Sequence, residues 1–144
     1  MTTMAGSDQG QRGCDPAERR AIEAACARLI NLYANLNDAA DWVALSELYA
    51  PDGVMTRPTA PDQPVVGRAA ILAAFQARPP RTTRHFCANI VIDVESATTA
   101  HGESAMLLFT GAPAPLVGSF HDRFVLTNAG WRFAERRGSL LFTG

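Results

Sequence analysis

Residues 81–94, RTTRHFCANIVIDV, set a histidine between arginine and phenylalanine at the head of a run that is otherwise apolar. An imidazole, with an ordinary pKa of roughly 6.5, takes and returns protons near neutral pH if a neighbour fixes its tautomer and offsets the imidazolium charge. His85 is therefore a candidate for proton transfer. Strand alternation puts His85, Cys87, Asn89 and Val91 on one face and Phe86, Ala88, Ile90 and Ile92 on the other. A face carrying His and Asn needs partners or water for its polar groups, and a cavity supplies both. A structural histidine, capped by a carbonyl or facing solvent at a strand end, fits the same pattern.

Composition removes several other chemistries. All 13 basic residues are arginine, which excludes Schiff-base catalysis and the phosphate-loop lysine. The 14 acidic residues balance them, so there is no basic field for a nucleic-acid backbone and no nucleic-acid partner is expected. Cys14, Cys26 and Cys87 lack CxxC spacing and read as reduced thiols. His101 sits by the turn ESATTAHGE and is expected in solvent, and the spacing of the histidines suggests no metal site. Neither a signal-like apolar segment nor a membrane-length apolar run occurs, so the expectation is a cytoplasmic protein without a membrane partner.

The elements that must position His85 can be read in order. A tail over residues 1–14 is expected to be flexible, and residues 15–144 form one domain. Asp15-Pro16-Ala17-Glu18 marks a helix start, after which Ile22, Cys26, Leu29, Tyr33 and Leu36 share one face. Asn37-Asp38 should end that helix near Leu36. Asp41 is expected to cap a short helix burying Trp42, Leu45 and Tyr49. Val54–Arg57 reads as a short strand, RPTAPDQPVVG as a loop, and RAAILAAFQAR as a third helix with Ile71, Leu72 and Phe75 inward. Residues 83–94, 98–110, 117–126 and 131–142 then read as antiparallel strands. The fold class is α+β, with about three N-terminal helices packed on one face of a strongly curved antiparallel sheet.

The run LYANLNDAADWVALSELYAPDGVM, then GRAAI, TRHF and GSFHDRFVLTNAGWRFAERR, resembles the SnoaL-like family. That family belongs to the cone-shaped superfamily that also holds scytalone dehydratase, bile-acid 7α-dehydratase and ketosteroid isomerase. The resemblance implies a conical pocket between sheet and helices. It assigns Asp38 as a pocket carboxylate, His85 as a proton-transfer residue and Tyr33 as a hydroxyl donor. It places Thr110 where scytalone dehydratase has a second histidine, and Asn37 and Arg57 where that enzyme has tyrosines. Arg57 also stands where ketosteroid isomerase has its general base. A guanidinium cannot be that base, although at a cone mouth it can bind a carboxylate or enolate oxygen. The isomerase's oxyanion-binding Tyr and Asp fall at Tyr33 and Asp122. On the family pattern Phe120, Asp122 and Phe124 face the cavity and His121 faces out.

Tyr33 and Asp38 are five residues apart, about 140° around a continuous helix, so both face the pocket only if the helix ends between them. Trp42, Met55, Met106 and Phe120 are core residues by default and, with Asn89, candidate substrate contacts. Arg136 and Arg137 read as solvated or paired strand positions. The expected activity is that of a lyase (dehydratase) or cyclase, needing no cofactor, on a small hydrophobic oxygenated metabolite, polyketide or terpenoid-like. The alternative is a non-catalytic small-molecule-binding or dimerisation module, since one fold hosts both. A homodimer through the outer sheet face is expected.

Overall fold

The computed structural model describes residues 14–142. Of the expected tail, residues 1–13 therefore lie outside the described residues.

Helix α1 runs from Pro16 to Asp38. Asp15 is extended and accepts the Glu18 N–H at 2.8 Å, while Pro16 fills the first helical position, where a missing N–H costs nothing. The buried face carries Ile22, Cys26, Leu29, Ile30, Tyr33, Ala34 and Asn37. The helix extends past Leu36, contrary to the expected ending. It stops where Ala40 takes a left-handed φ of 56°, with Ala40 N–H donating to the Asn37 carbonyl and Asp41 N–H to the Leu36 carbonyl. This pair of reversed bonds closes many helices, usually around glycine. Asp41 then caps α2 (Trp42–Ser46) by accepting the Ala44 N–H.

Strand β1 (Tyr49–Arg57) pairs with β2 (Ala60–Val66), the segment expected to be a loop. Pro61 and Pro64 are tolerated because β2 is an edge strand, where a missing N–H leaves no ladder bond broken. After α3 (Arg68–Gln76), which buries Ile71 and Phe75, come β3 (Arg84–Val94), β4 (Thr99–Phe109), β5 (Leu116–Thr127) and β6 (Gly130–Leu140). The sheet order is β2-β1-β6-β5-β4-β3. The last four strands form the expected antiparallel meander, but β6 also pairs in parallel with β1, so the sheet is mixed and stays open at β2 and β3. The class is α+β, with three helices on a six-stranded sheet among the described residues.

Two bulges decide which side chains face the helices. The β3–β4 register shifts between Ala88 and Val91, where Asn89 has a φ of 53°. Beyond it alternation reverses: His85 and Cys87 point inward, but so do Ile90, Ile92 and Val94, while Asn89 and Val91 are exposed. In β6, Arg123 pairs with Glu135 yet Phe124 pairs with Phe133, which leaves Ala134 as the extra residue. Phe133 and Arg136, three apart, therefore both point inward.

The main core joins α1, α2, α3 and the inner sheet through Ile30, Leu45, Tyr49, Ile71, Phe75, Phe124 and Phe133. A smaller cluster of Met106, Leu108 and Phe120, with Leu116 against it, lies apart from the main core. The outer face leaves Phe86, Val91, Leu107 and Phe109 exposed, Phe86 and Phe109 edge to face at 5.9 Å.

Candidate active site

Asp38 is the last residue of α1 and His85 the second of β3, an edge strand. The Asp38 carboxylate accepts the His85 backbone N–H at 2.8 Å on Oδ2, and the Thr83 hydroxyl at 2.9 Å on Oδ1. The His85 ring meets it as well, with Nδ1 2.5 Å from Oδ1. One carboxylate thus closes a backbone group on the edge of the sheet and fixes the imidazole. Ionised Asp38 accepts from Nδ1–H, which leaves Nε2 as the basic nitrogen, with no protein partner among the described residues. Both side chains are about nine-tenths buried.

His85 lines a cavity with Tyr33, Asn37, Met55, Phe75, Met106, Leu108, Phe120 and Arg136, enclosing about 60 Å³. Asp38 is not in that wall. Continuous α1 turns Asn37, next to Tyr33 around the helix, toward the cavity and sends Asp38 sideways onto β3. The angular conflict between Tyr33 and Asp38 is resolved this way, because only the histidine needs to reach the cavity. The Tyr33 hydroxyl lies 3.0 Å from the Tyr49 hydroxyl and 3.6 Å from the Met55 sulfur. Burial, more than any other influence, raises its pKa, so it is a neutral O–H.

Arg136, expected as a solvated or paired strand position, pairs with Asp122 but also lines the cavity, which sequence reasoning missed. It is only 1% exposed, and its guanidinium lies over the rings of Phe120 (3.7 Å), Tyr33 (4.4 Å) and Phe133 (4.9 Å). Its Nε is 3.3 Å from Asp122 Oδ1, its register partner on β5, but off the line of a hydrogen bond. All three guanidinium nitrogens and both Asp122 oxygens therefore lack a hydrogen-bond partner among the described residues. Burial pushes the Asp122 carboxyl up to about 6, against the opposing pull of Arg136. Burial also pushes the Cys26 thiol up to about 12, so it is an inert core group.

Residues 18–137 match the model of the SnoaL-like domain. The chain belongs to the SnoaL-like family. No curated protein matches it by sequence. Among solved structures, it is similar to a candidate scytalone dehydratase from Novosphingobium aromaticivorans, with a TM-score of 0.78 at 23% identity, over 90% of this chain and 91% of the other. It is also similar to an NTF2-like protein with a cystatin-like fold from the same organism, with a TM-score of 0.76 at 28% identity, over 87% and 86% of the two chains. A third is a candidate dehydratase of the NTF2-like family from Streptomyces avermitilis, with a TM-score of 0.72 at 14% identity, over 83% and 96%.

In this SnoaL-like domain the other expected site residues divide. Arg57, Met55, Met106 and Phe120 line the cavity. Asn89 does not, because the bulge turns it out to solvent. Thr110 does not either: β4 ends at Phe109, Thr110 is exposed in the following loop, and His85 pairs instead with Leu108. Trp42 stacks on Phe75 at 5.1 Å and borders a neighbouring depression rather than the cavity. Asp122 is buried behind Arg136. His121 is half exposed beside Glu103, and His101 lies among Asp93 and Glu95.

Proposed function

We propose that this SnoaL-like protein is a lyase that removes water from a small oxygenated organic substrate by proton transfer. The carrying observation is the His85–Asp38 contact at 2.5 Å, with the other ring nitrogen left to the cavity. His85 Nε2 takes a proton from carbon alpha to a carbonyl, and Asp38 offsets the charge of the resulting imidazolium. The electron pair moves onto the carbonyl oxygen, where the buried Arg136 and the neutral Tyr33 hydroxyl supply donors in a water-poor setting. Collapse of the enolate breaks the C–O bond at the beta carbon, and the imidazolium returns its proton to the departing hydroxyl, which leaves as water.

A cyclase shares the first step and differs in what the enolate attacks. The same pocket also suits a receptor that only binds its ligand, and a built proton-transfer pair speaks for the enzyme. The test is turnover of beta-hydroxy carbonyl compounds by folded His85→Ala protein. The expected loss is about 10²–10⁴ in kcat/KM, the usual worth of a positioned general base. Turnover equal to that of the unaltered protein would remove His85 from the reaction.

A further inference from the structure

Among the described residues, the cavity wall includes Arg57, Arg78, Arg81 and Arg136 and no Asp or Glu, in a chain whose formal net charge is −1. The carboxylates that contact its lining residues are engaged, Asp38 by His85 and Thr83, Asp122 by Arg136. Arg57 ends β1, and its Nη2 donates to the Ala74 carbonyl at 2.7 Å while its buried Nε has no partner among the described residues. Arg78 and Arg81 lie between α3 and β3, in the segment that leads to His85. The guanidinium carbons of Arg78 and Arg57 both lie over the Phe75 ring, 4.5 and 5.7 Å from its centre. Among the described residues none of Arg57, Arg78 and Arg81 makes an ion pair.

Like charges held together without a counter-ion repel, and partial burial adds to the cost. The effect is visible at Arg78, whose pKa is lowered to about 10, by burial first and then by Arg57. At about 10 Arg78 is still a cation at neutral pH, so an anion at this point would relieve the repulsion. Asp38 and Asp122 are not in the cavity wall and cannot do so.

We infer that the site takes a carboxylate-bearing substrate, its carboxylate held at the mouth by Arg57, Arg78 and Arg81 while the reacting part reaches His85 and Arg136. A planar carboxylate matches the fork of a guanidinium with paired hydrogen bonds. The enclosed space of about 60 Å³ suits a small organic body behind that group. The inference rests on the cavity being a substrate site and is independent of the proton transfer assigned to His85.

The experiment is calorimetric titration of the full chain with propionate, with the neutral and nearly isosteric propionamide, and with inorganic phosphate. Propionate is expected to bind at least about tenfold more tightly than propionamide. Arg78→Gln and Arg81→Gln should each weaken propionate several-fold and leave propionamide unchanged. His85→Ala should keep propionate binding while losing turnover, so the two readings fail separately. Propionamide binding as tightly as propionate, propionate indifferent to both arginine substitutions, or no propionate binding at about 50 mM would overturn the inference. Phosphate binding more tightly than propionate would overturn the choice of a carboxylate.

Discussion

Asp38 and Asp122 each face a basic side chain across the same fold, and they are built in opposite ways. Asp38 is a tenth exposed and takes hydrogen bonds from a ring nitrogen, a backbone N–H and a hydroxyl. Asp122 is fully withdrawn from solvent, has a charge beside it, and has no well-directed hydrogen bond. A buried carboxylate is stable as an anion only when its lone pairs are satisfied, and a neighbouring positive charge does not do that alone. The first arrangement fixes a tautomer and keeps it fixed. The second holds a cation in an apolar wall with N–H groups to spare, at some expense in stability.

That contrast can be broken most sharply at Asp38. Asp38→Asn should lower kcat about 10²–10³-fold, because an amide both misdirects the ring tautomer and leaves the imidazolium without a counter-charge. Circular dichroism should show the fold intact. Activity within about threefold of the unaltered protein would mean that the clasp only ties α1 to β3.

At the other pair the large effect is on stability. Arg136→Met alone should cost about 3 kcal/mol in chemical denaturation, since it strands Asp122 in the core. The double substitution Arg136→Met with Asp122→Leu should recover most of that loss, because apolar replacements of both partners leave no charge behind. A double variant as unstable as the single one would show that packing, not charge, is what Arg136 contributes.

The smallest effect is in pH dependence. Asp122 titrates near 6 in the folded chain against an ordinary value of 3.8, so between those values the folded state binds the additional proton. Stability from this group is then fully present below pH 4, falls as pH rises toward 6, and is level above, by roughly 2–3 kcal/mol in all. Asp122→Asn should flatten that part of the profile measured by thermal denaturation at fixed salt. An unchanged slope would mean that Asp122 is ionised throughout.

The sequence made local features legible and hid those that depend on pairing. Asp15 and Asp41 cap helices through a bond to a residue three positions on, and each could be read where it stands. His85 and Asp38 were legible as a pair only through the family resemblance, since they are 47 residues apart. One reason for placing His85 inward, a face shared with Asn89, was incorrect: the bulge gives it the face of Ile90 and Ile92. A single inserted residue reverses every position after it, and period-two reading has no means of detecting one. The bulge at Ala134 hid Arg136 in the same way, with the added prejudice that arginines are seldom buried. The available clue was Asp122, a second charge among Phe120 and Phe124 on an otherwise apolar face. Strand β2 was hidden because two prolines outweighed pairing that only the edge of a finished sheet reveals.

The parallel pairing of β1 with β6 has a consequence for the order in which the molecule can be made. Met55 and Arg136 are register partners, so the hairpin of β1 and β2 joins the rest of the sheet only after residues 130–140 exist. While the chain emerges from the ribosome, α1 through β5 can form helices and the β3–β5 meander, but the centre of the sheet is missing. Contacts of such long separation are closed late and slowly. The pocket is therefore assembled in a single late step, by the strand that brings both the neighbour of β1 and the buried guanidinium. A nascent chain halted before β6 would expose the apolar faces of β1 and β5 and depend on chaperones to stay soluble.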